Sequence, residues 1–110
     1  MEYSIYRLKD TESLSPLRFL GSASLKGSDW WPVEPENYER IYASSCAVHD
    51  HTNVLEAIFA KFNLNPPKNF KHYSLSVGDI VVLNGKKSGA FFCDNIGWTE
   101  IPEFFKEVSA

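Results

Sequence analysis

The run Cys46-Ala47-Val48-His49-Asp50-His51 is the stretch whose side chains come nearest to a chemical site. Cys-x-x-His with a second His two residues on offers up to three sulfur and nitrogen donors of the kind zinc accepts. Ligands this close together need a fourth from elsewhere, and Cys93, His72 or a carboxylate would have to supply it. The plainer reading is a polar loop leading into a helix, so no metal and no other cofactor is expected. Cys93 with His72 is the second candidate, as a nucleophile and its base. A reactive cysteine sits at a helix N-terminus or in an electropositive pocket that lowers its pKa. Cys93 lies instead in an apolar strand-like run, where a small buried thiol is the usual occupant. Asp79 and Asp94 flank a hairpin, and paired acids suggest general acid–base work. Asp79 follows Gly78, and Asp94-Asn95 precedes Gly97, which is the chemistry of turns. The spacing of Gly85, Gly89 and Gly97 fits no phosphate-binding fingerprint. No catalytic residue is assigned on these grounds, and the chain is read as non-enzymatic.

Trp30-Trp31-Pro32 points elsewhere. Neighbours on a strand face opposite ways, so two adjacent tryptophans in a proline-bounded loop divide their roles: one packs inward and the other is exposed or half-exposed. An exposed tryptophan is a typical anchor of a protein interface. Glu34 and Glu36 follow it closely, and Asp94 and Glu100 offer a second acidic rim. The expected partner-binding residues are therefore Trp30, Trp31, Glu34, Glu36, Asp94 and Glu100; the alternative for the loop is that both tryptophans pack onto the sheet as a lid.

The elements that must position these residues follow from hydrophobic periodicity. Tyr3 to Leu8 alternates, with Tyr3, Ile5 and Arg7 on one side, and reads as a strand. Thr11 to Pro16 is a loop or cap. Leu17 to Leu25 reads as a short helix weakened by Gly21. The two prolines of Trp30–Pro35 exclude regular structure there. Tyr38 to Ala43 alternates and reads as a strand. Asn53 to Asn63 is the strongest helix, with Val54, Leu55, Ile58, Phe59 and Phe62 at core spacing. Asn53 and Glu56 resemble a capping box, and Pro66-Pro67 stops the chain. Val77 to Leu83 is a continuous apolar strand, expected to be central, and Phe59 is expected to pack on it. Asn84-Gly85 signals a hairpin to a partner strand over Ser88 to Asp94. Trp98 to Ile101 adds a short strand and Glu103 to Val108 a turn of helix. The order predicts an α+β fold, a small antiparallel sheet with one main helix and one short helix packed on one face.

Composition narrows the class. A chain of 110 residues with 44% hydrophobic and 23% charged residues is one ordinary globular domain, spanning 1–110. Aromatics at 15% fill a core or anchor an interface. The formal charge of −3 comes from 11 basic residues scattered among 14 acidic ones, the reverse of a phosphate-backbone footprint, so direct nucleic-acid binding is not expected. Two cysteines make no disulfide framework. There is no basic-then-apolar leader and no apolar run near the roughly 20 residues of a membrane span. A cytoplasmic protein with reduced thiols and no membrane partner is the expectation.

Several of these pieces combine in a recognisable order: Tyr38-Glu39-Arg40-Ile41-Tyr42, Leu55 through Asn63, the Ser74-Leu75-Ser76-Val77-Gly78-Asp79 turn, Phe92-Cys93-Asp94 and Gly97-Trp98. Over residues 38–104 this pattern resembles the YodL-like domain family. The chain departs from it at His72-Tyr73, where the family often has Gly, and at Gly78, where Ser is common. The resemblance over 38–104 does not place the Trp30-Trp31 segment. What the resemblance implies is a small cytoplasmic bacterial or phage domain of the kind carried on mobile genetic elements, often near anti-restriction genes. It transfers no catalytic residues.

The function expected is a protein-binding module, an inhibitor of a host protein such as a nucleic-acid-targeting defence enzyme. Its partner would present a basic surface, which an acidic inhibitor can occlude by electrostatic complementarity. Self-association into a homodimer is compatible with this reading. One alternative is a regulator that binds a bacterial cytoskeletal or other assembly protein. Another is a small hydrolase or metal enzyme using Cys46, His49 and His51.

Overall fold

The computed structural model describes residues 2–28, 30–45, 54–72, 74–85 and 88–109. In chain order its elements are β1 (Glu2–Leu8), a 3-10 turn (Ser15–Leu17), α1 (Ser22–Leu25), a second 3-10 turn (Pro35–Asn37), β2 (Tyr38–Ser45), α2 (Val54–Leu64), β3 (Ile80–Asn84), β4 (Gly89–Cys93), β5 (Trp98–Glu100) and α3 (Pro102–Ser109). The strands form one five-stranded sheet in the order β2-β1-β3-β4-β5, antiparallel at every pairing. The α+β class and the central place of the Val81–Leu83 strand are as the sequence predicts.

The layers differ from expectation. Both faces of the sheet are covered, where one was predicted. β3 is buried at Ile80 through Leu83 and β4 at every residue, so each carries apolar side chains to both sides. A strand that is apolar on both faces needs cover on both. On one face Tyr3, Ile5, Val81, Leu83 and Phe91 meet Val54, Leu55, Ile58 and Phe62 of α2. On the other, Ile80, Val82, Ala90 and Phe92 meet Leu25 of α1, Val33, Ile101 and Phe104 of α3.

Each face has its own aromatic cluster, which accounts for much of the aromatic content. Phe62 packs edge-on against Phe70 at 4.8 Å, Tyr42 at 5.4 Å and Tyr3 at 6.1 Å between ring centroids. Across the sheet, Phe104 receives Tyr6 at 5.3 Å and Tyr38 at 5.8 Å, both edge-to-face. That is the arrangement the ring quadrupole favours.

Three boundaries move for local reasons. The expected helix over Leu17–Leu25 survives only as the single turn of α1, because Arg18 is extended (ψ 135°) and Phe19 takes a left-handed φ of 61°. The strand expected from Val77 starts at Ile80, because Ser76–Asp79 is a turn: the Asp79 N–H donates to the Ser76 carbonyl at 3.0 Å, and Gly78 has φ 97°. Glycine alone enters that region without strain. The hairpin ends shift by one residue, β3 running to Asn84 and β4 starting at Gly89, with Ser88 Oγ donating to the Gly85 carbonyl at 3.0 Å. The helix runs as predicted, but Phe59 is not a core residue. It is 36% exposed, while Phe62 is fully buried. Phe59 overhangs the sheet margin and meets Trp98 of the short β5 edge-to-face at 6.3 Å.

Candidate partner-binding surface

The tryptophan loop divides as its sequence requires. Trp31 turns inward, its ring meeting Phe92 edge-on at 5.6 Å, with Lys26 Nζ 5.4 Å from the Trp31 ring centroid. Val33 is buried beside it, and the Trp31–Pro32 peptide is cis. Trp30 is 40% exposed, its backbone N–H donating to Ser28 Oγ at 3.2 Å. Glu34 and Glu36 are exposed, Glu36 within the Pro35–Asn37 turn. The outward member of the pair is thus Trp30, and Trp31 is a lid on the core.

Asp94 sits at the other expected site and is already in use. Its Oδ1 accepts from the Ser22 N–H at 2.9 Å and the Asn95 N–H at 3.2 Å, and its Oδ2 from Ser22 Oγ and from Thr99 Oγ1 at 2.6 Å. Burial raises its pKa, but these four donors together outweigh that and hold the carboxyl below the usual range. Asp94 therefore stays ionised and pins the β4–β5 turn to the first residue of α1. The approach is close: a Cβ on Gly21 would stand 2.8 Å from Asp94 Oδ1 and 2.5 Å from Asn95 Nδ2. Since Lys26, just past the other end of α1, lies over Trp31, this one turn of helix links the two segments that the sequence singled out separately. Glu100 is exposed at the end of β5.

The chemical candidates resolve as follows. Cys46, Asn53, His49 and His51 lie outside the described residues. Among the described residues, no three His, Cys, Asp or Glu side chains are grouped to hold a metal ion, and no helix is long and apolar enough to cross a membrane. Cys93 is buried, as its strand position predicts. Burial first, then the charges of Asp79, Asp94 and Glu56, push its thiol up to about 12. At neutral pH it is a protonated thiol and a poor nucleophile. His72 is exposed and lies beside Phe70, ring centroids 5.5 Å apart.

Asp79 bonds its own turn, as predicted, with Oδ2 accepting from the Ser76 N–H at 2.8 Å. It also does something unforeseen. Arg7 Nε donates to Asp79 Oδ1 at 2.9 Å and Arg7 Nη2 to Asp79 Oδ2 at 2.7 Å, with both residues buried. Arg7 Nη2 also donates to the Ser74 carbonyl at 3.1 Å. Burial raises the Asp79 pKa against the pull of Arg7 and the Ser76 amide. The depression beside this pair, lined by Phe19, Leu20 and Tyr38, encloses about 20 Å³. That is room for one water-sized group, so the pair is a fastening between β1 and the turn before β3. The sequence held one signal of it: Arg7 falls in register with Tyr3 and Ile5 on the buried side of β1.

A family model described as YodL-like domain matches residues 2–104 of the chain, extending the 38–104 pattern through β1 and the tryptophan loop. No curated protein and no solved structure matches it.

Proposed function

We propose, from the premise that this chain belongs to the YodL-like domain family, that it is a non-enzymatic protein-binding module. Its target is a host protein with a basic surface, such as a nucleic-acid-targeting defence enzyme, which it inhibits by occlusion. The observation that carries the reading is Trp30: a large aromatic, 40% exposed, on a loop braced by the packed Trp31. A rigid aromatic on a fixed base loses little freedom on binding. Exposed Glu34 and Glu36 on the same loop, and a chain charge of −3, favour a basic partner.

The test is capture from a bacterial lysate on immobilised protein, wild type beside Trp30→Ala, with the captured protein identified. A nucleic-acid-binding protein is expected on the wild type. Its affinity should fall about 30-fold with Trp30→Ala, the roughly 2 kcal/mol of an interface anchor. Equal capture by both would remove the loop from the interface. Capture of a filament-forming protein would move the reading to the assembly-regulator alternative.

A further inference from the structure

A second surface lies where the exposed side of α2 meets the β4–β5 turn. A cleft of about 180 Å³ opens there, lined by Glu56, Phe59, Cys93, Asp94, Gly97 and Trp98 among others. Phe59 and Trp98 stand at 89° to one another with centroids 6.3 Å apart, two walls from different elements. Trp98 Nε1 donates to Glu56 Oε1 at 3.2 Å, which fixes the plane of the indole. Ile96, at the tip of the adjoining turn, is 95% exposed. Turn tips ordinarily carry polar residues, so an isoleucine standing in solvent beside two half-open aromatic rings is an apolar contact waiting for a partner.

The lining gives the sign of the ligand. Among the described residues that line it, Glu56 and Asp94 are the charged ones, and both are carboxylates. Asp94 keeps its charge through the hydrogen bonds it accepts from Ser22, Asn95 and Thr99. Aromatic faces attract a cation within about 6 Å of the ring centroid. The volume gives the size. Sites for small-molecule ligands run from about 300 Å³ upward, and this cleft takes one side chain. A guanidinium suits it better than an ammonium, because its plane stacks on an aromatic ring while its edge donates to a carboxylate.

We propose that the cleft bordered by Phe59 and Trp98 receives an arginine side chain of a partner protein, with an apolar neighbour of that arginine resting on Ile96. The source of the arginine rests on the reading of the chain as a protein-binding module; the chemistry of the cleft does not.

The test is a titration of the isotope-labelled full chain with N-acetyl-arginine methylamide, followed by NMR. Its neutral isostere, N-acetyl-citrulline methylamide, is the control. Saturable shifts are expected at the Trp98 indole N–H and at the amides of Asn95, Ile96 and Gly97, with citrulline binding at least about tenfold more weakly. Glu56→Gln and Phe59→Ala, both at exposed positions, should each weaken binding about threefold or more while leaving the remaining amide spectrum in place. Equal binding of citrulline, shifts that never saturate, or saturation at the Trp30 indole instead would overturn the assignment. A positive titration alongside failed protein capture would sink the partner reading and leave the cleft standing. Trp30-dependent capture with a failed titration would do the reverse.

Discussion

Arg7 and Asp79 leave water together at the end of the sheet, 72 residues apart in the chain. The penalty for burying two charges is offset only when geometry is good and the remaining hydrogen bonds are made. Here the pair is bidentate, the Ser74 carbonyl takes a further donor of Arg7, and the Ser76 amide serves Asp79. Removing one partner strands the other. Arg7→Met should cost about 3–5 kcal/mol, read as a lowered urea midpoint at unchanged slope. The double variant Arg7→Met with Asp79→Leu should lose less than the sum of the two single changes, because no buried charge is left over. Additive losses would show that the two groups do not depend on each other. This is also where the sequence could be read only halfway. The alternation of Tyr3, Ile5 and Arg7 marked the arginine as inward-facing. Its partner stayed hidden, because the pairing exists only once β1 lies beside β3, and no local pattern reports which strands become neighbours.

Among elements, those with a strong local period were legible and those set by tertiary contacts were not. β1, β2, α2 and the β3–β4 hairpin follow from alternation, helical spacing and turn residues. The second covered face could have been read from the unbroken apolar run of Val81 to Leu83, since such a strand has no solvent side. Phe59 could not be placed from spacing alone. It sits one residue, about 100°, from Ile58 on α2, and whether that side is buried depends on how far the sheet extends beneath it; there it meets only the three-residue β5. α1 is a single turn, too short to hold itself, and Asp94 fastens it from outside. Because the folded pKa of Asp94 is depressed, its contribution is present above the unfolded value of about 3.9 and is lost as pH falls through the folded value. Asp79, raised by burial, acts in the opposite sense. The comparison that isolates Asp94 is thermal melting of the wild type beside Asp94→Asn across pH 2 to 7. The variant should melt lower at neutral pH, and the gap should close below about pH 4. A gap that stays constant into acid would mean that the carboxylate charge does not hold α1.

At the scale of the molecule, the Cα radius of gyration is 13.4 Å, against about 13 Å expected for a compact chain of this length. With apolar cover on both faces of the sheet, most large side chains are spent on the two cores. What remains outside is informative because it is little. Among the described residues the exposed large apolar side chains are Phe19, Trp30, Leu64 and, at the margin where α2 meets β5, Phe59 and Ile96. From the sequence alone, Trp30 and Trp31 were equal candidates for contact, since two adjacent aromatics in an irregular loop carry no period to assign them. The structure separates them, and the separation can be measured. Trp31→Ala removes a half-buried ring from Phe92 and from Lys26, so it should lower stability by about 2 kcal/mol, less than the 3–5 of a fully buried aromatic. Its effect on partner affinity should be small once the protein is held below its melting temperature. Trp30→Ala should leave stability within about 0.5 kcal/mol of wild type, as surface changes do, while removing the larger share of affinity. Denaturant melts on both variants, beside affinity for the captured partner, read the two effects separately. If Trp30→Ala unfolds the chain as readily as Trp31→Ala, the loop is a double lid and the interface belongs to the other exposed aromatic margin. If neither change alters stability, Trp31 does not hold the loop down, and the rigid base on which the binding reading depends is gone.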